Sequence, residues 1–375
     1  MKRTWILISL LALSGCDHKQ SPGQLPDTTA KRILGVSLSN TMMGFNPQSN
    51  PNYEVIKRAG IGWVRLGFAF PFRDKVGGEF TEQFTRDLEE ARRISKLGLR
   101  IMGGTPTPGD LQYDIKNRRT AWLNAMPEWA GTVDSDRYYE TYQKACEEIG
   151  RQTKGIIDLW QVSNEMDLTE FRGSLSVQQA VRFLNAGARG LKNGNPDAKA
   201  DVNPASAFFE GEEILRALYG SPDSPFDFVG IDGYFGSFAP GGPAAWIEVI
   251  DRLHEITHKP VLINEWGYSS LEGSGRPLKR KVGNEVCDRQ LWDRAWRKQH
   301  SPEEQAEYVR LALKIFATYP DVAGCFFYEW NDDPLCSYCG SVGCPNDCGW
   351  GLVDVHGNPK PAYYAFQAMA REYFQ

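Results

Sequence analysis

Ile156-Ile157-Asp158-Leu159-Trp160-Gln161-Val162-Ser163-Asn164-Glu165-Met166-Asp167 is the stretch that decides how this chain reads. An apolar run rich in β-branched and aromatic residues breaks off abruptly in Ser163-Asn164-Glu165. Such a run reads as a buried strand, here one that delivers a carboxylic acid to its C-terminal tip. Pro260-Val261-Leu262-Ile263-Asn264-Glu265-Trp266 has the same form further along the chain. Strand–helix units lie between the two. That arrangement suggests paired carboxylates facing each other across the mouth of a barrel.

Outward from these two segments, strand-like runs alternate with helix-like runs. The strand candidates are Ile33 to Ser39, Gly62 to Phe68, Leu99 to Gly103, Ile157 to Val162, Ala200 to Asn203, Phe226 to Asp232, Val261 to Ile263 and Val322 to Tyr328. Helices are expected at Tyr53 to Ala59, Thr81 to Leu97, Asp134 to Gln152, Ser176 to Lys192, Glu212 to Leu218, Ala244 to Ile256 and Ala362 to Tyr373. One more opens at Ser301-Pro302-Glu303-Glu304, with an N-cap, a proline at the first helical position and a capping-box glutamate. Thr105 to Thr132, with Pro106, Pro108 and Pro127, reads as a long loop. Eight strands alternating with eight helices imply an α/β fold, a single-domain (β/α)8 TIM barrel, over residues 33–375. In such a barrel the C-terminal strand ends carry function.

Bulk properties agree with a large folded domain. The chain has 375 residues, 41% hydrophobic and 24% charged, which suffices for a sizeable core. The net charge of −5 gives no basic excess, so nucleic acid is not an expected partner. Aromatics reach 12%, with 11 Trp and 15 Tyr, which suits surfaces that stack on sugars as well as a large barrel core.

Residues 1–15 read as a targeting segment. Met1-Lys2-Arg3 is charged, and the apolar stretch from Trp5 to Leu13 is shorter than the about 20 residues of a spanning helix. Leu13-Ser14-Gly15-Cys16 resembles the lipobox of bacterial lipoproteins. The resemblance implies cleavage before Cys16, lipidation there, and export to the periplasmic face of the cell membrane or to the outer membrane. Residues 16–32, with Pro22, Gly23 and Pro26, read as a flexible tether.

Retaining hydrolysis of a glycosidic bond needs two carboxyl groups about 5 to 5.5 Å apart, one to protonate the leaving oxygen and one to attack the anomeric carbon. Strands four and seven lie on opposite sides of an eight-stranded barrel, so acids at their ends can converge over its axis. Glu165 and Glu265 occupy those ends. A glutamate is usually a solvated surface group, but one that ends an apolar strand is not of the usual kind.

Asn164-Glu165 and Glu265 resemble the motifs of the clan A retaining glycoside hydrolases, such as families 5 and 39. The likeness runs from about Ile33 to the C-terminus. It implies that Glu165 is the acid/base and Glu265 the nucleophile. Arg65 in Trp63-Val64-Arg65-Leu66 looks like the clan's strand-two arginine, beside the nucleophile. Asn164 would bond the sugar 2-hydroxyl, Tyr234 would hydrogen-bond the nucleophile, and Trp330 would form the sugar platform. Arg65 could instead be a plain salt bridge, and Tyr234 and Trp330 plain core aromatics. One position departs from the pattern. Many clan members carry His-x-Tyr at strand six, where this chain has Asp232-Gly233-Tyr234, which brings a third acid near the site. None of His18, His254, His258, His300 and His356 ends a strand, so neither a His-based triad nor a His-rich metal site is expected. No cofactor or metal is expected. Glu329, Asp332, Asp333 and Asp167 are competing acids, and Glu265 is preferred to Glu329 because it uses the opposition of strands four and seven.

Seven cysteines follow Cys16. Cys336, Cys339, Cys344 and Cys348 are spaced C-x2-C-x4-C-x3-C in a Gly/Pro-rich loop. The spacing permits a four-thiolate zinc site, whereas an oxidising compartment favours disulfides. The pairing stays open. Cys325, inside strand eight, is expected to be a buried free thiol. This loop, with Tyr338 and Trp350, is expected to wall the substrate cleft. The Tyr268 to His300 loop is locally basic, which reads as a solvated face. The sequence thus points to a monomeric, membrane-anchored retaining hydrolase of a β-linked glycan. A non-catalytic glycan-binding lipoprotein and an exopolysaccharide transglycosylase are the alternatives.

Overall fold

The computed structural model describes residues 32–38, 52–114, 119–272, 281–282, 285–286, 292–337 and 341–374. The targeting segment expected at residues 1–15, the tether expected from Cys16 up to residue 31, and Cys287, Tyr338 and Cys339 lie outside the described residues. Among the described residues, no helix is long and apolar enough to cross a membrane.

Eight parallel strands form one sheet: β1 (Ile33–Ser37), β2 (Trp63–Gly67), β3 (Arg100–Gly104), β4 (Leu159–Gln161), β5 (Lys199–Asp201), β6 (Val229–Gly233), β7 (Val261–Trp266) and β8 (Val322–Phe327). Their order is β5-β4-β3-β2-β1-β8-β7-β6. The two end strands are not paired as a regular ladder. Backbone N–H groups of Asp227, Gly230 and Asp232 nonetheless donate to the carbonyls of Ala200, Val202 and Pro204 at 2.8, 2.9 and 3.1 Å, which closes the ring. The (β/α)8 barrel expected from the alternation is therefore the fold found.

Each strand is followed by a helix: α1 (Tyr53–Arg58), α2 (Glu82–Lys96), α3 (Asp136–Thr153), α4 (Val177–Gly194), α5 (Phe209–Tyr219), α6 (Ala245–Thr257), α7 (Pro302–Thr318) and α8 (Pro361–Tyr373). Local chemistry fixes several starts. Thr81 accepts from the N–H of Phe84, Ser176 and Gln179 form a reciprocal capping box, and Ser301 accepts from Glu304 N–H ahead of Pro302. The α3–α4 contact depends on small residues. A Cβ on Gly190 would lie 2.2 Å from the carbonyl oxygen of Gln143, and one on Gly194 2.0 Å from that of Glu147. Two backbones can approach this closely only where no side chain intervenes.

The stretch from Thr105 to Thr132, expected to be loop, contains an antiparallel hairpin, Gly109–Asp114 with Arg119–Asn124. A one-turn helix, Thr169–Arg172, also precedes α4. Neither shows the long apolar periodicity on which sequence reading relies.

The barrel interior is layered. Met102, Leu159, Leu262 and Phe326 form an apolar floor. Residues between them on the strands face the helices. Trp160 packs on Phe68, and Trp266 sits edge-on to Phe316 and Phe327. Above the floor the inward positions turn polar, and there the candidate site begins.

Candidate active site

A bulge in β7 sets up the site. Ile231 pairs with Ile263, but the next residue of β6, Asp232, pairs with Glu265. On the other flank, Cys325 to Phe327 of β8 spans Ile263 to Trp266 of β7. The extra residue lets Asn264 and Glu265, adjacent in sequence, both face the barrel axis, where strict alternation would send one outward.

Asn264 lies in the lower polar layer. Its Nδ2 donates to Gln161 Oε1 at 3.1 Å and to Asp201 Oδ1 at 3.2 Å. Gln161 Oε1 also accepts from Arg65 Nε at 2.9 Å. Gln161 Nε2 donates to the Ser163 carbonyl at 2.7 Å and to Asn164 Oδ1 at 3.1 Å. Burial pushes the Asp201 carboxyl up to about 7, against the pull of Asn264 and Arg65. All of these groups except Asn164 are fully buried, so the layer is a rigid polar base for the residues above it.

Arg65 is the hub. It is 1% exposed and forms an ion pair with Glu265 through Nη1. Its Nη2 donates to Asn164 Oδ1 at 3.0 Å. Burial works against its charge, but Glu265, Asp232 and Tyr234 outweigh that and hold its pKa above the ordinary value. The other oxygen of Glu265 accepts from the hydroxyl of Tyr234. Burial and the charges of Glu265 and Asp232 push the Tyr234 phenol far up, so it remains a donor. Both oxygens of Glu265 are thereby held in a fixed orientation.

Across the barrel the chain leaves β4 through an unusual turn. Ser163 and Glu165 take positive φ values of 64° and 38°, a left-handed conformation uncommon outside glycine. The turn is pinned on each side. Ser163 N–H donates to Thr105 Oγ1 at 2.8 Å, and Glu165 N–H donates to the Asn203 carbonyl at 3.2 Å. Asn164 Oδ1 accepts from Arg65, Gln161 and, at 2.9 Å, Asn203 Nδ2. Three donors on that oxygen leave the Asn164 amide nitrogen as the group available to a ligand. The Glu165 carboxyl is pushed well above its ordinary range by burial first, then by the charges of Glu265 and Asp167, with Arg65 opposing. Burial and these charges thus favour the protonated form of Glu165, opposite a Glu265 that is ion-paired to Arg65.

The structure thus brings together Arg65, Asn164, Glu165, Tyr234 and Glu265. Trp330 stands apart. It is 3% exposed, with its ring edge-on to Tyr363 of α8 at 6.2 Å, and so offers little surface to a sugar. The half-buried Tyr328 lies closer, edge-on to Tyr234 at 5.9 Å and within the electrostatic reach of Glu265. The Tyr328–Glu329 peptide is cis. Trp350, from the cysteine-bearing loop, packs on Tyr234 at 5.1 Å and stacks on Phe238 at 5.4 Å. His300 lies between the rings of Tyr268 and Trp292, its two nitrogens 2.6 and 2.9 Å from the carbonyls of Ser269 and Gly236. Gln161, Asp201, Asn203, Asn264 and Tyr328 were not among the residues singled out from sequence. A polar residue interrupting an apolar strand was the available signal for Gln161 and Asn264.

The competing acids have other neighbours. Asp167 accepts from the N–H groups of Ala205 and Ser206 at 2.9 and 3.1 Å, and burial raises its pKa to about 6. Glu329 is fully buried beside Asp333, Asp347 and Asp332, and Asp332 pairs with Lys360 at 2.8 Å. Burial and the Asp347 charge push Asp333 up to about 8. Cys336, Cys344 and Cys348 are buried in their loop, and Cys325 is a buried free thiol, as expected, with Cys146 another.

No family model matches the chain. A beta-xylosidase from Caldicellulosiruptor saccharolyticus is 22% identical over 291 residues, and the match covers 69% of this chain. The chain spans about half the length of that relative, 54%. Among solved structures, the GH53 catalytic domain of Ignisphaera aggregans aligns with a TM-score of 0.66 at 18% identity, covering 92% of this chain and 98% of that one. A family 39 glycoside hydrolase from Bacteroides cellulosilyticus WH2 gives 0.59 at 15% identity, covering 90% and 64%. A Bacteroides uniformis beta-glucuronidase gives 0.60 at 16% identity, covering 91% and 35%. The chain is a single-domain (β/α)8 barrel of the fold that these glycoside hydrolases have.

Proposed function

We propose that this chain is a retaining glycoside hydrolase acting on a β-linked glycan. The observation that carries the reading is the pairing of Glu265, held by Arg65 and Tyr234, with a Glu165 whose carboxyl pKa burial and the Glu265 charge push up. Attack on the anomeric carbon needs an oriented carboxylate, and departure of the leaving oxygen needs a proton. Glu265 attacks and forms the glycosyl–enzyme bond as Glu165 gives its proton to the departing oxygen. Esterification removes the Glu265 charge. The Glu165 pKa then falls, and Glu165 can accept a proton from water for the second displacement. Asn164, its carbonyl oxygen saturated by protein donors, offers its amide nitrogen to the sugar 2-hydroxyl. Tyr328 is a better placed sugar platform than Trp330. The residues of the site need no metal or cofactor for these steps.

The similarity to a beta-xylosidase makes β-xylosides the first substrates to try, within a panel of β-linked gluco-, manno-, galacto- and glucurono-oligosaccharides. Proton NMR of the first-formed product tests the mechanism. A β-anomer released from a β-glycoside supports double displacement, and an initial α-anomer overturns it. We further propose that Cys16 is lipidated and tethers an exported, monomeric barrel to a membrane, and that the Cys336–Cys348 loop is disulfide-bonded.

A further inference from the structure

The site holds more acid than that reaction uses. Asp232, next to last in β6, lies directly opposite Glu265 in the strand register and is 2% exposed. Its Oδ2 accepts from Asn203 Nδ2 at 2.6 Å. Its Oδ1 is buried and has no hydrogen-bond partner among the described residues. An ionised carboxylate has acceptor capacity on both oxygens, and burying it with one bond made is costly. The groups around it leave that charge uncompensated. Glu265 faces it from β7, Glu165 from the turn after β4, Arg65 from β2, Asn203 from beyond β5, and Tyr234 from the end of its own strand. Arg65 is the one cation in this set, and it is paired with Glu265. Three carboxyls around a single guanidinium cannot all be ionised.

We propose that Asp232 is a positioning residue that works as the neutral acid, holding Asn203 in place while leaving the Arg65 charge to Glu265. The inference rests on the glycosidase reading for its consequence, but not for the protonation itself. Asn203 is the link to the chemistry. Its Nδ2 also donates to Asn164 Oδ1 at 2.9 Å, and its carbonyl accepts from Glu165 N–H at 3.2 Å. Asp232 therefore acts through Asn203 on both residues of the Asn164-Glu165 pair. Burial, then the charges of Glu265 and Glu165, push its pKa well up, with Arg65 and Asn203 opposing. If Asp232 ionises, its charge competes for Arg65 and repels Glu265. The site then needs two protons at once, one on Glu165 and one on Asp232. An asparagine at this position would satisfy Asn203 equally well but would not respond to pH.

The first test uses substrate-free protein. The infrared spectrum at neutral pH should contain a carboxylic-acid carbonyl band that is missing from D232N. Identical spectra for the two proteins overturn the proposal, whether or not any glycan is cleaved. The second test uses turnover. The wild type should lose activity at alkaline pH with a two-proton slope, and D232N with a one-proton slope. D232N should keep turnover at neutral pH to within about tenfold, whereas D232A should lose about 100-fold in kcat, the scale of a small misplacement of reacting groups. An inactive but folded D232N would mean that the charge is required and overturns the proposal, as does an Asp232 that the infrared spectrum shows ionised at neutral pH. A wild type that cleaves no glycan would remove the glycosidase reading and leave the infrared result to decide the protonation.

Discussion

Arg65 and Glu265, 200 residues apart in sequence, meet as an ion pair on the barrel axis, with the arginine 1% exposed. Neither charge would be stable there alone, because the protein interior solvates an isolated ion poorly. The pair persists because Gln161 and Asn164 take up other guanidinium donors and Tyr234 serves the second carboxylate oxygen.

Arg65→Lys should therefore behave as a severe substitution. Lysine keeps the charge but cannot bond Gln161, Asn164 and Glu265 together. Breaking a buried pair costs about 3–5 kcal/mol, and part of that loss should appear as a lower melting temperature. Turnover should fall at least about 100-fold, as expected for misplaced reacting groups. Near wild-type values for both quantities would mean that the pair does not organise the site.

Glu165→Gln and Glu265→Gln should fail differently. Loss of a general acid costs about 10²–10⁴ in rate, and the loss should be smallest for substrates with a good leaving group. Glu165→Gln should then accumulate a glycosyl adduct on Glu265 that is visible by intact mass. Glu265→Gln should form no adduct with any substrate. Comparable turnover by both variants would remove these two residues from the mechanism.

The activity profile should respond to Asp167. Its negative charge helps keep the Glu165 proton bound. Asp167→Asn removes that charge and lowers the Glu165 pKa. A general acid is active while protonated, so the alkaline limb of kcat/KM should move to lower pH. A limb that stays in place, measured on the same substrate, would separate it from Glu165.

Gly190→Ala tests the scaffold rather than the site. The new methyl group would lie 2.2 Å from a backbone oxygen of α3, so the two helices must move apart. Overpacking of this kind costs about 1–3 kcal/mol. Denaturant titration should show that loss, and an unchanged midpoint would mean that the α3–α4 contact is looser than described.

Non-reducing peptide mapping addresses the cysteine-bearing loop. Cross-linked peptides containing Cys336, Cys339, Cys344 or Cys348 are expected, with Cys146 and Cys325 recovered as free thiols in denaturant. Four reactive thiols in the loop would instead reopen the question of metal binding, which the same sample can answer by metal analysis.

Much of the architecture was legible because the barrel depends on local signals. Each strand is a short apolar run, and Ser176, Thr81 and Ser301 mark helix starts by their own hydrogen bonds. Arg65, Asn164, Glu165, Tyr234 and Glu265 could be found because strand ends converge in this fold. What lies beneath them was harder to read. Gln161, Asn264 and Asp201 form a layer through contacts between strands far apart in sequence, and no local period encodes those contacts. The hairpin inside the Thr105–Thr132 segment was hidden by its prolines and mixed polarity. Motif position points to Trp330 as the sugar platform, but its ring lies edge-on to Tyr363 of α8, a contact that sequence position does not encode.

The bulge in β7 also limits how this site could be transplanted. A regular strand of the same residues would aim Glu265 at the helices and Trp266 at the axis. Grafting the Glu265 strand into another barrel therefore means carrying the irregularity and both flanking registers with it. A one-residue deletion upstream in the strand would leave the sequence motif intact while turning the carboxylate away from its partners.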